Sequence, residues 1–456
     1  MFKNVVMTNA VKAAIFGLGL SYLAACDPGA AAPASSAEPA APAPVEPAPE
    51  AISVVVPAER SFTAEGIAAL EAHMGKYVAD GQLYSIHTKL VQDGNVISDF
   101  KTGLVGLQDQ KPVADDTIYR IYSMTKPITG VAMMMLWEEG RFGLDDPVTR
   151  YIPEFEGLRV LDGMNEDGTP KLVVVNRVPT MRELMSHTAG FAYGLIGTDP
   201  ANTAFRDNEI LRSPDLQTFV EKVADVPLLF QPGEAWAYSA SVDIQGYVIE
   251  KLSGQSFGDF LETRIFTPLN MTDTGFYVPA EDYDRMSEAY GYHPETGQLV
   301  PVPYPNVQFR KETIAMESGG GGLVSTMSDY SNFAQMMLNE GQYNGITLLK
   351  PETVRLMRTN VLPDGVGLSS LGQNAGEMRE GLGFGLDLGL LLDAEAGGFP
   401  HPSGSYFWGG AAGTWFWIDP ENKLYFIGMI QIFSQGGPGV DTRDASARLV
   451  YEALQP

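Results

Sequence analysis

The stretch Ile118-Tyr119-Arg120-Ile121-Tyr122-Ser123-Met124-Thr125-Lys126-Pro127 stands at the head of an apolar run, Ile128 to Trp137, that has helical spacing. Proline brings no N–H and a fixed φ, so Pro127 fits only in a first turn and the helix must begin close to Ser123. Ser123 and Lys126 then share one face of the helix, with the amine within reach of the hydroxyl. A serine at a helix N-terminus also sits in positive potential, and its backbone N–H can help hold an oxyanion. Ser-x-x-Lys by itself equally describes a helix cap followed by a surface lysine, so the rest of the chain has to decide.

Outward from that segment, Ala64 to Val78 carries apolar residues at helical spacing. Tyr84–Gln92 and Val96–Leu104 flank Asp93-Gly94-Asn95, a hairpin signal. Near the other end, Gly383–Leu392, Tyr406–Gly410, Thr414–Ile418 and Leu424–Ile432 read as short strands, with Asp419-Pro420-Glu421-Asn422 as a turn and Asp441–Leu454 as a closing amphipathic helix. The middle is rich in helix signals and Pro/Gly connections, for example Thr180 and Glu183 spaced as a capping box before Met185. The predicted fold class is α+β, an α/β sandwich. Its largely antiparallel sheet, flanked by helices, comes from residues 51–136 and 309–456, and residues 137–308 form a mainly helical insertion. The cleft between those parts is the expected active site.

Composition narrows the function. Of 456 residues, 30 are Lys or Arg and 56 Asp or Glu, a net charge of −26, which disfavours a nucleic-acid partner. With 45% hydrophobic residues the chain is globular, and the acidic excess reads as a solvated surface. One cysteine, Cys26, excludes an internal disulfide, Cys/His zinc sites and iron–sulfur clusters. The histidines, His73, His87, His187, His293 and His401, show no metal spacing, so no metal or organic cofactor is expected.

The N-terminus reads as an export signal over residues 1–25: Lys3 and Lys12, then an apolar run from Ala13 to Ala25, too short to span a bilayer. Leu23-Ala24-Ala25-Cys26 resembles the lipobox of bacterial lipoproteins, which implies lipidation of Cys26. Residues 26–50, almost entirely Ala, Pro, Ser and Glu beyond Cys26, form a semi-rigid tether with nothing to build a core. The expected location is the bacterial cell envelope, facing the periplasm from the inner or outer membrane. Asp27 resembles the aspartate that marks inner-membrane retention in many enteric lipoproteins.

Further motifs follow Ser123 in order: Leu184-Met185-Ser186-His187-Thr188-Ala189-Gly190, then Gln231-Pro232-Gly233-Glu234 leading into Tyr238-Ser239, then Ser318-Gly319-Gly320-Gly321-Gly322-Leu323 before a helix. Together with Ile118–Pro127, this series resembles the β-lactamase-related serine hydrolases, the group of class C β-lactamases, D-amino-acid peptidases and family VIII carboxylesterases. The resemblance runs from about Leu70 to the C-terminus and implies a β-lactamase/DD-peptidase-like fold. It further implies that Ser123 is the nucleophile, that Lys126 and Tyr238 move its proton, and that Trp408-Gly409-Gly410 is the cleft-lining strand motif. The N–H groups of Ser123 and Ala411 would form the oxyanion hole. His187 is expected to steady a turn, and Met133-Met134-Met135 to pack the core.

Two departures set the expected chemistry. Trp408 stands where the lactamases carry a lysine for the substrate carboxylate, and Ala240 where they carry an asparagine for a substrate amide. Tyr238-Ser239-Ala240-Ser241-Val242-Asp243 is similar instead to the pattern of family VIII esterases, which also tend to carry Trp-Gly-Gly. The expected activity is hydrolysis of small-molecule carboxylic esters through an acyl-enzyme. The alternatives are a β-lactamase or D-amino-acid peptidase acting on cell-wall material, and a non-catalytic sensor using the same pocket. Two decoys are set aside: Lys101-Thr102-Gly103 precedes the nucleophile, and Gly254-Gln255-Ser256-Phe257-Gly258 mimics a nucleophile elbow but places Ser256 as the N-cap of a helix running to Phe266.

Overall fold

The computed structural model describes residues 60–106, 110–195, 197–293, 295–302, 309–311, 314, 316–368, 380–433 and 440–455. The signal, Cys26 and the tether lie outside them. A helix, α1 (Ala64–Ala79), is capped by Thr63, whose side chain accepts from the Gly66 N–H, and leads into the hairpin of β1 (Ser85–Gln92) and β2 (Asn95–Gly103). Helix α2 (Thr125–Glu138) follows, then α3 (Ser241–Ser253) within the middle segment and α4 (Met327–Leu338) beyond it. The last part supplies β3 (Leu382–Phe384), β4 (Gly389–Leu391), β5 (Tyr406–Gly409), β6 (Trp415–Asp419), β7 (Leu424–Met429) and α5 (Thr442–Ala453).

These strands form one seven-stranded sheet in the order β3-β4-β5-β6-β7-β1-β2, every neighbour antiparallel. The join between the chain's two ends is β7 on β1, from Leu424 opposite Gln92 to Met429 opposite His87. Because side chains alternate along a strand, β7 feeds two cores. Leu424 and Phe426 pack with Leu70 and Met74 of α1 and Ala445 and Val450 of α5, whereas Tyr425 and Ile427 face the cluster that holds α2 and α4. Both faces are therefore covered, and β7 is an unbroken apolar run. Helix α2 is buried from Thr125 to Leu136, including Met133, Met134 and Met135, so its apolar character on all sides reflects a core position.

Three local readings change. Gly383–Leu392 is two strands rather than one, because the chain reverses through Gly385–Leu388, with Asp387 at φ 59° and the Gly385 N–H donating to the Leu388 carbonyl. The strand expected over Leu424–Ile432 ends at Met429, and Ile432–Phe433 pairs in parallel with Tyr290–Gly291. In the middle segment, Arg159–Met164 and Pro170–Val174 form a hairpin among the helices. The capping box at Thr180 and Glu183 is formed in both directions.

Candidate active site

The nucleophile turn comes first. After a short strand, Ile118–Arg120, Tyr122 takes a φ of 43°, and Tyr122–Met124 make one tight 3-10 turn before α2 begins at Thr125. A left-handed tyrosine costs about 1–2 kcal/mol, and its ring is held edge-on between Phe309 and Phe433, with centroids at 5.9 and 5.7 Å. The turn lifts Ser123 just ahead of the helix, half-buried, while Lys126 is fully buried in the first turn of α2.

Two groups converge on that serine. The Tyr238 hydroxyl is 2.7 Å from Ser123 Oγ, and Lys126 Nζ is 3.4 Å from the same atom. Lys126 Nζ also donates to the Gly320 carbonyl at 2.6 Å and to the Tyr193 hydroxyl at 3.3 Å, and it lies 4.4 Å from the centre of the Tyr238 ring. Burial, reinforced by the charges of Asp243 and Tyr238, pushes the Tyr193 hydroxyl well above the usual tyrosine range, so it remains a neutral partner of the lysine. Of the two tyrosines beside Lys126, only Tyr238 reaches Ser123 in a hydrogen bond.

Tyr238 is aimed by its neighbours. Its ring contacts those of His187, Tyr193, Trp408 and Trp236 at centroid distances of 5.1, 5.5, 5.8 and 6.2 Å. His187 is buried at φ 59°, and its Nδ1 accepts from the Ser239 N–H at 3.2 Å. Burial and the nearby charge of Lys126 keep that imidazole well below its ordinary range, hence neutral. Its place as a steadier of the turn beside Tyr238 agrees with this geometry: the Ala237 N–H donates to the His187 carbonyl at 3.0 Å.

The end of β5 borders the same turn. At Gly410 a Cβ would fall 2.4 Å from the Ile121 carbonyl oxygen, so only glycine lets the strand approach the backbone that carries Ser123. Trp408 turns its ring toward Tyr238, and Phe384 packs edge-on against it at 5.4 Å. Gly409 ends the strand, and Ala411 follows in an exposed turn with an N–H that donates to no group among the described residues.

The decoys separate cleanly. Lys101 ends the edge strand and pairs with Asp99 and Asp115. Ser256 is an exposed N-cap whose hydroxyl accepts from the Asp259 N–H at 3.1 Å, preceded by α3 and not by a strand. Its helical segment continues through one wide π turn, Glu262–Phe266. His87, Asp99 and Asp115 bring ligand-type atoms within 4.8 Å of one another, but Lys89 and Lys101 already neutralise those carboxylates, so the trio is an ion-pair cluster. Tyr193 is the neighbour that sequence reasoning missed: it comes from a loop with no periodic pattern, and only the fold brings it to Lys126.

An antiparallel sheet covered by helices on both faces, with a serine, a lysine one helical turn on and a tyrosine from a separate segment in hydrogen-bond reach of that serine, is the arrangement of the Ser-x-x-Lys serine hydrolases. The chain belongs to the beta-lactamase family, whose sequence model matches residues 66–451. An uncharacterised protein of Mycobacterium tuberculosis is 34% identical over 323 residues, 70% of this chain and 79% of that protein. Esterase EstB of Burkholderia gladioli is 29% identical over 409 residues, 85% of this chain and 97% of its own length. Among solved structures, simvastatin synthase LovD from Aspergillus terreus aligns with a TM-score of 0.73 at 23% identity, over 85% of this chain and 98% of that one. The hydrolase EstCE1 aligns at 0.70 and 24% identity, over 85% and 99%.

Proposed function

We propose that this chain is a serine carboxylesterase working through an acyl-enzyme, and the observation that carries the reading is the 2.7 Å bond from Tyr238 to Ser123 beside a buried lysine. Tyr238, as phenolate against the Lys126 ammonium, takes the Ser123 proton as Oγ attacks the ester carbonyl. The oxyanion is held by the N–H groups of Ser123 and Ala411, with Trp408, Gly409 and Gly410 shaping that wall. The alcohol leaves with the proton from Tyr238, and water, deprotonated by Tyr238, then releases the acid. Esters are favoured over β-lactams because an indole at Trp408 and a methyl at Ala240 offer no charge for a carboxylate and no amide for a peptide bond. Esterase EstB and the lovastatin esterase of Penicillium rubens, 28% identical over 77% of this chain, support the same choice.

The discriminating test compares kcat/KM for a short p-nitrophenyl ester with that for a chromogenic cephalosporin, using the full chain in detergent. An excess of about 100-fold or more for the ester is expected from missing recognition of charge and amide; the reverse order would return the site to β-lactam chemistry. We also propose a lipid anchor on Cys26, on the strength of the lipobox-like Leu23–Cys26 and the single cysteine. Incorporation of an alkyne-tagged fatty acid is expected in the wild type and not in Cys26→Ser. Equal labelling of the two would remove the anchor.

A further inference from the structure

We propose that Asp243 is a positioning residue, carrying the negative charge that balances Lys126 and, through Gly320, fixing the carbonyl that holds the lysine amine beside Ser123. This rests on the serine hydrolase reading above and adds to it a residue that touches neither substrate nor Ser123.

The connection runs through one glycine. Asp243 lies fully buried in the first turn of α3, where the helix dipole favours an anion. Its Oδ1 accepts from the Ser318 hydroxyl and, at 3.1 Å, from the Gly320 N–H. The carbonyl of that same Gly320 accepts from Lys126 Nζ at 2.6 Å. A Cβ on residue 320 would fall 2.4 Å from Asp243 Oδ2 and 2.5 Å from the Tyr193 hydroxyl, so carboxylate, glycine backbone and the lysine's tyrosine partner are packed together with no room for a side chain. The second carboxylate oxygen, Oδ2, is buried on the side of the Tyr193 hydroxyl, which itself accepts from Lys126 Nζ. A buried carboxylate is costly unless an opposite charge is near, and the nearby buried cation whose charge acts on Asp243 is Lys126.

The other titratable groups around Lys126 do not supply that charge. His187 is neutral, Tyr193 keeps its proton, and Tyr238 is committed to Ser123. A second buried carboxyl, Asp387, comes from the loop between β3 and β4, but among the described residues the one donor to its carboxyl is the Gln245 amide, at 3.0 Å. Burial pushes Asp387 well above the usual carboxylate range, so it stays protonated. Asp243 has what Asp387 lacks: a hydroxyl, a backbone N–H and a helix terminus that each favour its ionised form. Burial still raises it above the usual carboxylate range, and the charge of Lys126 and these two donors limit that rise.

The test follows the rate of fluorophosphonate labelling of Ser123 against pH in the full-length wild type, Asp243→Asn and Asp387→Asn, with thermal melts alongside. Asp243→Asn is expected to label about 100-fold more slowly near neutral pH, the low end of what loss of acid–base assistance costs. Its high-pH limb is expected to move to lower pH, since an ammonium without its counter-charge gives up its proton more readily. Asp387→Asn replaces a neutral group by a neutral isostere and is expected to keep both rate and limb. An Asp243→Asn enzyme with wild-type rate and limb overturns the proposal, as does an equal shift in Asp387→Asn. If Asp243→Asn shows no cooperative melt, Ser318→Ala decides: one donor fewer leaves Asp243 easier to protonate, so the low-pH limb moves up, and an unmoved limb overturns the proposal. Failure of the wild type to label at Ser123 would instead sink the serine hydrolase reading, so the two failures are told apart.

Discussion

Ser123→Ala is expected to lower ester turnover by about 10⁴-fold or more, and to abolish fluorophosphonate labelling, with no loss of fold. The substitution removes one oxygen from a half-buried position in a turn that is held by other contacts: the Met124 N–H donates to the Ile121 carbonyl at 3.0 Å, and the Met124 carbonyl accepts from the Tyr330 hydroxyl at 3.1 Å. What disappears is the covalent route. Tyr238, Lys126 and the backbone donors remain, so any residual rate measures what they achieve by activating water. A factor of 10⁴ corresponds to about 5.5 kcal/mol of transition-state stabilisation. Steady-state kinetics with a p-nitrophenyl ester, backed by a melt, reads both parts. An alanine variant that keeps most of its activity, particularly if Ser256→Ala loses it, would move the nucleophile elsewhere.

Tyr238→Phe is expected to cost about 10²- to 10⁴-fold in kcat with KM little changed. The ring is gripped by His187, Tyr193, Trp236 and Trp408, so phenylalanine keeps its place and only the hydroxyl at 2.7 Å from Ser123 is lost. In the proposed mechanism the same oxygen deprotonates serine in acylation and water in deacylation, so both half-reactions are expected to slow, with no pre-steady-state burst revealing one fast step. A drop confined to KM would mean that Tyr238 binds substrate without handling the proton. Survival of full activity would leave the proton to Lys126, whose amine is 3.4 Å from the same oxygen.

Much of this was legible in the residues because their physics is local. The β1–β2 hairpin follows from alternation around Asp93-Gly94, and the start of α2 from the position of Pro127 and the apolar run behind it. Motif order points to Ser123, Lys126 and Tyr238, and the fold brings the three together. What stayed hidden depends on backbone conformations that the sequence does not advertise. Tyr122, His187 and Asp387 all sit at positive φ, where a glycine would have signalled a turn and these side chains did not. The reversal at Asp387 therefore read as continuous strand. Tyr193 and the link from Asp243 through Gly320 to Lys126 join loops and helix ends distant in sequence, and no periodicity encodes such a meeting. The hairpin at Arg159–Val174 is the opposite case: Asp167-Gly168 between apolar runs is a local turn signal that a mainly helical reading of the middle does not use.

The placement of β7 between β1 and β6 has a consequence for how the protein is born. Residues 424–429 are synthesised long after the hairpin at Ser85–Gly103, which has no sheet to join until they arrive. Ser123 leaves the ribosome long before the Trp408–Ala411 segment that would complete its oxyanion site. The nascent polypeptide is therefore catalytically silent and stays open through nearly its whole synthesis, since its decisive pairings span most of its length. Such late closure acts as a timer: assembly of the sheet beside Ser123 waits on delivery of residues 406–429.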